Sequence, residues 1–216
     1  MSKTLSIFVV ILLIVYHFTF FTWSFAVDAK TLYATCAACH GANGEGVPAM
    51  QGPALAGQSV WYLKRQIKSF QKGHRGGAGD TWGMTMRAMA SILATDEQLD
   101  AVAKYISQMK PSHHESTLAG DATQGKSLYM VCTACHGADG KGLKALNSPS
   151  LIFQHDWYLA RQLNNYKNNI RGVHKDDIYG AQMRPMASTL TTTAAMNNVL
   201  AYINQLSKTA SNNLSK

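Results

Sequence analysis

The chain holds only four cysteines in 216 residues, little charge, and no segment in which apolar and polar residues alternate. The missing alternation excludes a sheet with one face in water, whose strands would repeat every second residue. Charged residues make up only 15% against 46% hydrophobic, which excludes a disordered polyelectrolyte and leaves enough apolar material for one or two small cores. Acidic residues are the scarcer sign: 12 against 20 basic, for a net charge of +8. That surplus points to acidic partners or an anionic membrane face. The basic residues are scattered rather than clustered, so the chain does not read as a nucleic-acid binder.

All four cysteines fall in two pentapeptides, Cys36-Ala37-Ala38-Cys39-His40 and Cys132-Thr133-Ala134-Cys135-His136. Cys-x-x-Cys-His is the attachment pattern of a c-type haem. Two thiols a short loop apart can add to the two vinyl groups of one porphyrin, and the following histidine is then held on one side of the iron as an axial ligand. A thioredoxin-type pair has no use for the trailing histidine. A four-cysteine zinc site would separate its pairs by roughly 12–20 residues, whereas these stand 96 positions apart. The motifs therefore imply two covalently bound haem c groups, with Cys36, Cys39, Cys132 and Cys135 as thioether positions and His40 and His136 on iron.

The first residues differ from the rest. Lys3 precedes an apolar run from Leu5 to Phe25, broken only by serine, threonine and His17. As a secretory signal it would be cleaved after Ala26, at Ser24-Phe25-Ala26. As an anchor it would stay. Its length exceeds the core of a signal and approaches the roughly 20 residues that span a bilayer. Aromatic residues crowd its far end, as at a membrane interface. These features favour a signal-anchor over residues 1–27, and in either case an exported domain with Lys3 left inside.

The remainder is a duplication. With an offset of 96, Leu32-Tyr33 meets Leu128-Tyr129, the two motifs coincide, Pro53 meets Pro149, and Trp61-Tyr62-Leu63 meets Trp157-Tyr158-Leu159. One inserted residue later, Met86-Arg87 meets Met183-Arg184, and Tyr105-Ile106 meets Tyr202-Ile203. A long period occurring twice means tandem domains, at 28–110 and 121–208, joined by a linker at 111–120. The pattern within each is helical. Helices are predicted over 29–37 and 123–131, 59–71 and 155–168, and 96–109 and 193–206. Asp121 is a candidate cap, Thr95 with Gln98 makes a capping box, and Leu99, Val102, Ala103 and Ile106 share one face.

A methionine thioether opposite the histidine would raise the potential and suit electron transfer. Ten methionines compete. Only those matched in both halves can play one role twice, which leaves Met86/Met183 and Met89/Met186; Met84 faces Ala181 and Met50 has no counterpart.

After residue 28 nearly the whole chain resembles the diheme cytochrome c4 family, which is built of tandem class I cytochrome c domains. The resemblance rests on Cys-x-x-Cys-His-Gly-Ala, on Gly52-Pro53-Ala54-Leu55-Ala56-Gly57-Gln58, and on a Tyr-Leu-x-x-Gln helix. A methionine seven residues before a leucine and a last helix ending in Tyr-Ile complete it. It implies an all-α fold. It also implies Met86 and Met183 as the second iron ligands, counted back from Leu93 and Leu190, with Met89 and Met186 opening the last helix. Pro53 and Pro149 would accept the ring hydrogen of the ligand histidine. Trp61, Tyr62 and Arg65, with Trp157, Tyr158 and Arg161, would bond propionates or pack the haem wall. The second half departs from the family at Ile152-Phe153-Gln154, where Ala-Gly-Gln is usual. Of the other histidines, His74, His113, His114 and His174 read as surface residues, and none of these, nor His17 in the apolar segment, has the neighbours of a metal site.

The function expected is an electron carrier, not an enzyme. It would pass single electrons between respiratory membrane complexes at the periplasmic face of a bacterial inner membrane, tethered by residues 5–25 or soluble if cleaved. Two alternatives stand beside it. One is a fixed haem subunit of a larger membrane enzyme, such as a terminal oxidase or dehydrogenase, favoured by the oxidase-like stretch Tyr179–Met186. The other is an enzyme with an open haem, such as a diheme peroxidase.

Overall fold

The computed structural model describes residues 28–214. The apolar segment at residues 1–27, expected to form an N-terminal hydrophobic helix, lies outside the described residues. Among those described, no helix is long and apolar enough to cross a membrane.

Two helical domains follow one another, and each opens on its haem motif. Helix α1 (Ala29–His40) is capped by the Asp28 carboxylate, which accepts from the Lys30 backbone N–H. Helix α5 (Ala122–His136) is capped by Asp121, as its sequence predicted. Both helices run to the histidine, past the ends expected at 37 and 131. Gly41 (φ 81°) and Gly137 (φ 79°) stop them, in backbone conformations that a side chain resists. The two cysteines of each motif therefore sit at i and i+3 on one helical face, with the histidine completing the last turn.

Helices α2 (Val60–Gln71) and α6 (Asp156–Lys167) agree with expectation to within a residue. Helix α4 (Asp96–Ser107) starts where predicted, on the Thr95/Gln98 capping box, and ends two residues short of the expected 109. Helix α8 (Thr193–Leu214) begins where predicted but continues well past 206. Two helices have no counterpart in the sequence reading: α3 (Thr81–Ala90) and α7 (Ile178–Ser188). Glycine, threonine, clustered methionine and, in α7, an internal Pro185 hide them from propensity and periodicity. Their signal is the cap: Asp80 and Asp177 accept from Gly83 N–H and Gly180 N–H, each at 3.0 Å. Met89 and Met186 consequently lie within α3 and α7 and do not open the last helix. The only β pairing among the described residues is two isolated bridges, Val47–Gly52 and Leu143–Ser148.

Each domain has its own core. Leu99, Val102, Ala103 and Ile106 of α4 are all at most 2% exposed, packed with Tyr33, Leu63 and Leu93. Met196, Val199, Leu200 and Ile203 of α8 repeat the arrangement with Tyr129 and Leu190. Tyr33 donates to the Gly41 carbonyl at 2.6 Å and Tyr129 to that of Gly137 at 2.9 Å, which ties each motif helix to the loop beyond it. In the first domain the loop approaches closely: a Cβ on Gly52 would lie 1.8 Å from the Cys39 carbonyl oxygen.

The domains meet through reciprocal hydrogen bonds. Arg65 donates to the Asn147 carbonyl at 2.8 Å, and Arg161 to Gln51, the counterpart of Asn147, at 2.8 Å to Oε1 and 3.2 Å to the carbonyl. Gln58 donates to the Ser150 carbonyl at 3.1 Å, and Gln154 to that of Ala54 at 2.8 Å. Arg75 donates to Gln162 at 3.1 Å, and Arg171 to Gln66 at 2.9 Å. Each pair maps onto the other by exchanging halves, so the domains face each other across an approximate twofold axis.

The linker at 111–120 is helix-free and fastened to the second domain. The buried Asp156 carboxylate accepts from Ser116 Oγ, Thr117 N–H, Thr117 Oγ1 and Leu118 N–H at 2.6–2.8 Å. Burial works to raise this carboxyl, but those donors outweigh it and hold it below the usual carboxylate value.

Candidate functional site

At the end of α1 the His40 ring is 6% exposed, and its Nδ1 lies 2.8 Å from the Pro53 carbonyl oxygen. His136, also 6% exposed, stands 2.9 Å from that of Pro149. A carbonyl can only accept, so Nδ1 carries the hydrogen and donates it. The lone pair is then left on Nε2, the tautomer a metal needs. Burial lowers the proton affinity of both rings, with the proline carbonyl opposing it. The two motifs thus reach the same local geometry by the same route: a helix stopped by glycine, and a proline carbonyl aimed back at its last residue.

No disulfide joins the four cysteines, which leaves each sulfur available for a thioether bond. Burial pushes the Cys36 thiol up, and that of Cys132 up to about 11. Neither has the depressed value of a thioredoxin nucleophile, which sets that reading aside. Both motifs open onto a single continuous cavity lined from the two halves, by Cys36, Cys39 and His40 on one side and Cys132, Cys135 and His136 on the other. Met86, Met89, Met183 and Met186 all border it, while Met84 does not. Met186 is 36% exposed and Met183 less so; Met86 and Met89 are both half-buried.

The charge around this cavity fits an anionic group. Arg65, Arg75, Arg161 and Arg171 all line it. Arg75 and Arg171 are only 5% and 6% exposed and share the amide oxygens of Gln66 and Gln162 in a buried four-membered ring of contacts. Yet Nε of Arg75, Arg161 and Arg171, all three of which line the cavity, is buried with no hydrogen-bond partner among the described residues. Buried unpaired donors are costly. Carboxylates on a bound porphyrin would satisfy them, so these residues fit the haem propionates. The expectation for Arg65 and Arg161 is thereby enlarged: each also reaches across to the other domain and lies over aromatic rings, Arg65 above Trp61 and Arg161 above Trp157. Sequence reasoning passed over Arg75 and Arg171. The matched Arg-Gly pairs were visible, but nothing marked them as buried.

One expectation fails. His74 and His174 do not align in the repeat, yet the interface brings their rings together in a stack, with Asp176 beside them. They do have the neighbours of a metal site.

A small helical domain whose first helix ends in Cys-x-x-Cys-His, with the histidine held by a proline carbonyl over an apolar cavity, is a c-type cytochrome unit, and here it occurs twice. The cytochrome c family model matches residues 26–110 and again 122–207. The chain is 32% identical to cytochrome c4 of Stutzerimonas stutzeri over 73% of its own length and 78% of the relative's. It is 31% identical to the thiosulfate dehydrogenase electron acceptor of Stutzerimonas stutzeri strain A1501, over 75% and 81%. The crystal structure of reduced recombinant cytochrome c4 from Pseudomonas stutzeri superposes with a TM-score of 0.66 at 30% identity, covering 83% of this chain and 97% of that one. The chain belongs to the cytochrome c family, as a diheme cytochrome of the c4 type that carries two covalently bound haem c groups and transfers electrons.

Proposed function

We propose that this protein is a one-electron relay at the periplasmic face of a bacterial inner membrane, taking electrons from one respiratory protein and delivering them to another. The observation that carries the reading is the single cavity shared by both motifs across a twofold interface. Two centres in one low-dielectric enclosure, held by reciprocal hydrogen bonds, make a conductor with no moving part.

In this reading Cys36 and Cys39 hold one porphyrin and Cys132 and Cys135 the other. His40 and His136 bind iron through Nε2, while Pro53 and Pro149 fix the ring planes. Met86 and Met183 supply the opposite ligand; of the matched pairs they have the family spacing to Leu93 and Leu190. Haem supplies a one-electron iron couple, which thioether ligation shifts to higher potential. Arg75 and Arg171 neutralise carboxylate charge between the domains, and the leucine-rich walls exclude water. With a histidine and a methionine both engaged in holding each haem, neither domain would offer a substrate site. Carbon monoxide tests this: a spectral shift in the native reduced protein would show an open iron and overturn the transfer-only reading.

Residues 5–25 tether the relay, and N-terminal sequencing of the mature protein checks that; a start at Val27 removes the tether. The relative named as an electron acceptor of thiosulfate dehydrogenase supports a partner enzyme as donor. A fixed subunit of a larger enzyme is the competing reading, supported by the Tyr179–Met186 stretch. Purification in mild detergent separates the two: a stoichiometric complex favours the subunit, a lone cytochrome the relay.

A further inference from the structure

Three side chains outside the haem cavity converge where the two domains meet. His74 lies in the loop after α2, and His174 and Asp176 lie between α6 and α7. The imidazole rings stack with centroids 4.2 Å apart and planes 21° apart. Asp176 Oδ2 stands 4.0 Å from His74 Nε2 and 3.8 Å from His174 Nδ1. One donor atom from each residue lies within 4.8 Å of the other two. None of the three borders the haem cavity, although Arg75 and Asp177, their immediate neighbours in sequence, do.

We propose that His74, His174 and Asp176 form a binding site for a divalent transition ion of the zinc class, which clips the two domains together and keeps water in its fourth position. The chemistry of the set is right: two imidazole nitrogens and a carboxylate oxygen are a ligand combination zinc takes in sites that retain a solvent molecule. Tetrahedral bonds of zinc length place donors about 3.3 Å apart, so separations of up to 4.8 Å must close by at most about 1.5 Å. Side-chain rotation supplies that movement, because the Asp176 side chain is 54% exposed and that of His174 38%. His74, at 14%, is the enclosed ligand, and the exposed pair leave an entry path.

The Asp176 backbone N–H donates to His174 Nδ1 at 3.2 Å, which shows that this nitrogen presents its lone pair; the bond must open for that nitrogen to take an ion. Two imidazolium rings at this spacing would repel each other, whereas one ion shared between neutral rings and a carboxylate gives attraction alone. The loops are held from behind: Arg75 by its hydrogen bonds to Gln66 and Gln162, and Asp177 by its cap on α7. Lys175 competes as well, since its Nζ holds Asp176 Oδ1 at 3.0 Å. A divalent charge beside Arg75 and Asp177 also favours the reduced state of nearby haem iron.

The test uses the full haem-loaded chain, produced without a polyhistidine tag, dialysed against zinc chloride. One zinc per chain is expected, with a raised thermal midpoint and a rise in haem potential. His174→Ala and Asp176→Asn should each weaken binding at least about tenfold, with haem content and visible spectrum unchanged, which shows that the variants are folded. Lys175→Ala should tighten binding roughly twofold by freeing the carboxylate. The proposal is overturned if zinc does not saturate at one equivalent, if binding survives both His74→Ala and His174→Ala, or if Lys175→Ala weakens it.

Discussion

The two domains agree where haem is held and differ around it. His40–Pro53 and His136–Pro149 match to 0.1 Å. Around them, Gly57, at φ 85°, is answered by Phe153 at φ 60°, a bulky side chain in the left-handed region. Val60 is answered by Asp156, which fastens the linker, and Ala88 by Pro185 inside α7. Gly52, pressed on Cys39, is answered by Ser148. The histidine setting is thus copied while its surroundings are not, so the two haems are expected to differ in potential, which a redox titration resolving two separate steps checks.

The severest way to break the comparison is to remove one haem. Cys132→Ala with Cys135→Ala should halve the haem content, read as pyridine haemochrome per chain, and leave the first domain's spectrum intact. Loss of both haems would mean that the domains do not mature independently. Next comes Met183→Ala, which should remove half of the iron–sulfur charge-transfer band and lower one potential only. If Met186→Ala does this instead, the ligand is misassigned.

Asp156→Asn breaks a bond set that only the second domain has, and should cost about 2–3 kcal/mol at neutral pH. The native carboxyl is held below its ordinary value, so its contribution is present above that value and is lost as pH falls through the lower, folded one. Wild type and variant should therefore converge in strong acid; a constant gap down to low pH would mean that the charge is irrelevant. The smallest effect sharpens the twofold relation. Arg161→Ala should cost about 1 kcal/mol in thermal or denaturant unfolding. Arg65→Ala should cost a little more, because Arg65 also lies 4.8 Å over Tyr179.

Much of this was legible in sequence because it is local. Asp121 and the Thr95/Gln98 box act within a few residues, and the spacing of Leu99, Val102 and Ile106 names a buried face directly. The repeat then carried each reading from one half to the other. It failed where residues act without a counterpart or across the axis. Pro185 and clustered methionines concealed α3 and α7. Asp156 gains its meaning from Ser116–Leu118, some forty positions away in sequence. His74 and His174 were passed over because the repeat compares equivalent positions, while the interface joins inequivalent ones.

The reciprocal bonds have a further consequence. Arg65 to Asn147 and Arg161 to Gln51 are the contacts of a self-complementary surface, the kind that closes a two-subunit homodimer. Two separate single-haem subunits with these surfaces would pair only as their concentration allowed, whereas the linker at 111–120 makes the pairing permanent. Fusion also released each copy from having to serve on both sides of the axis. A lone subunit could not have acquired Phe153 without acquiring it twice.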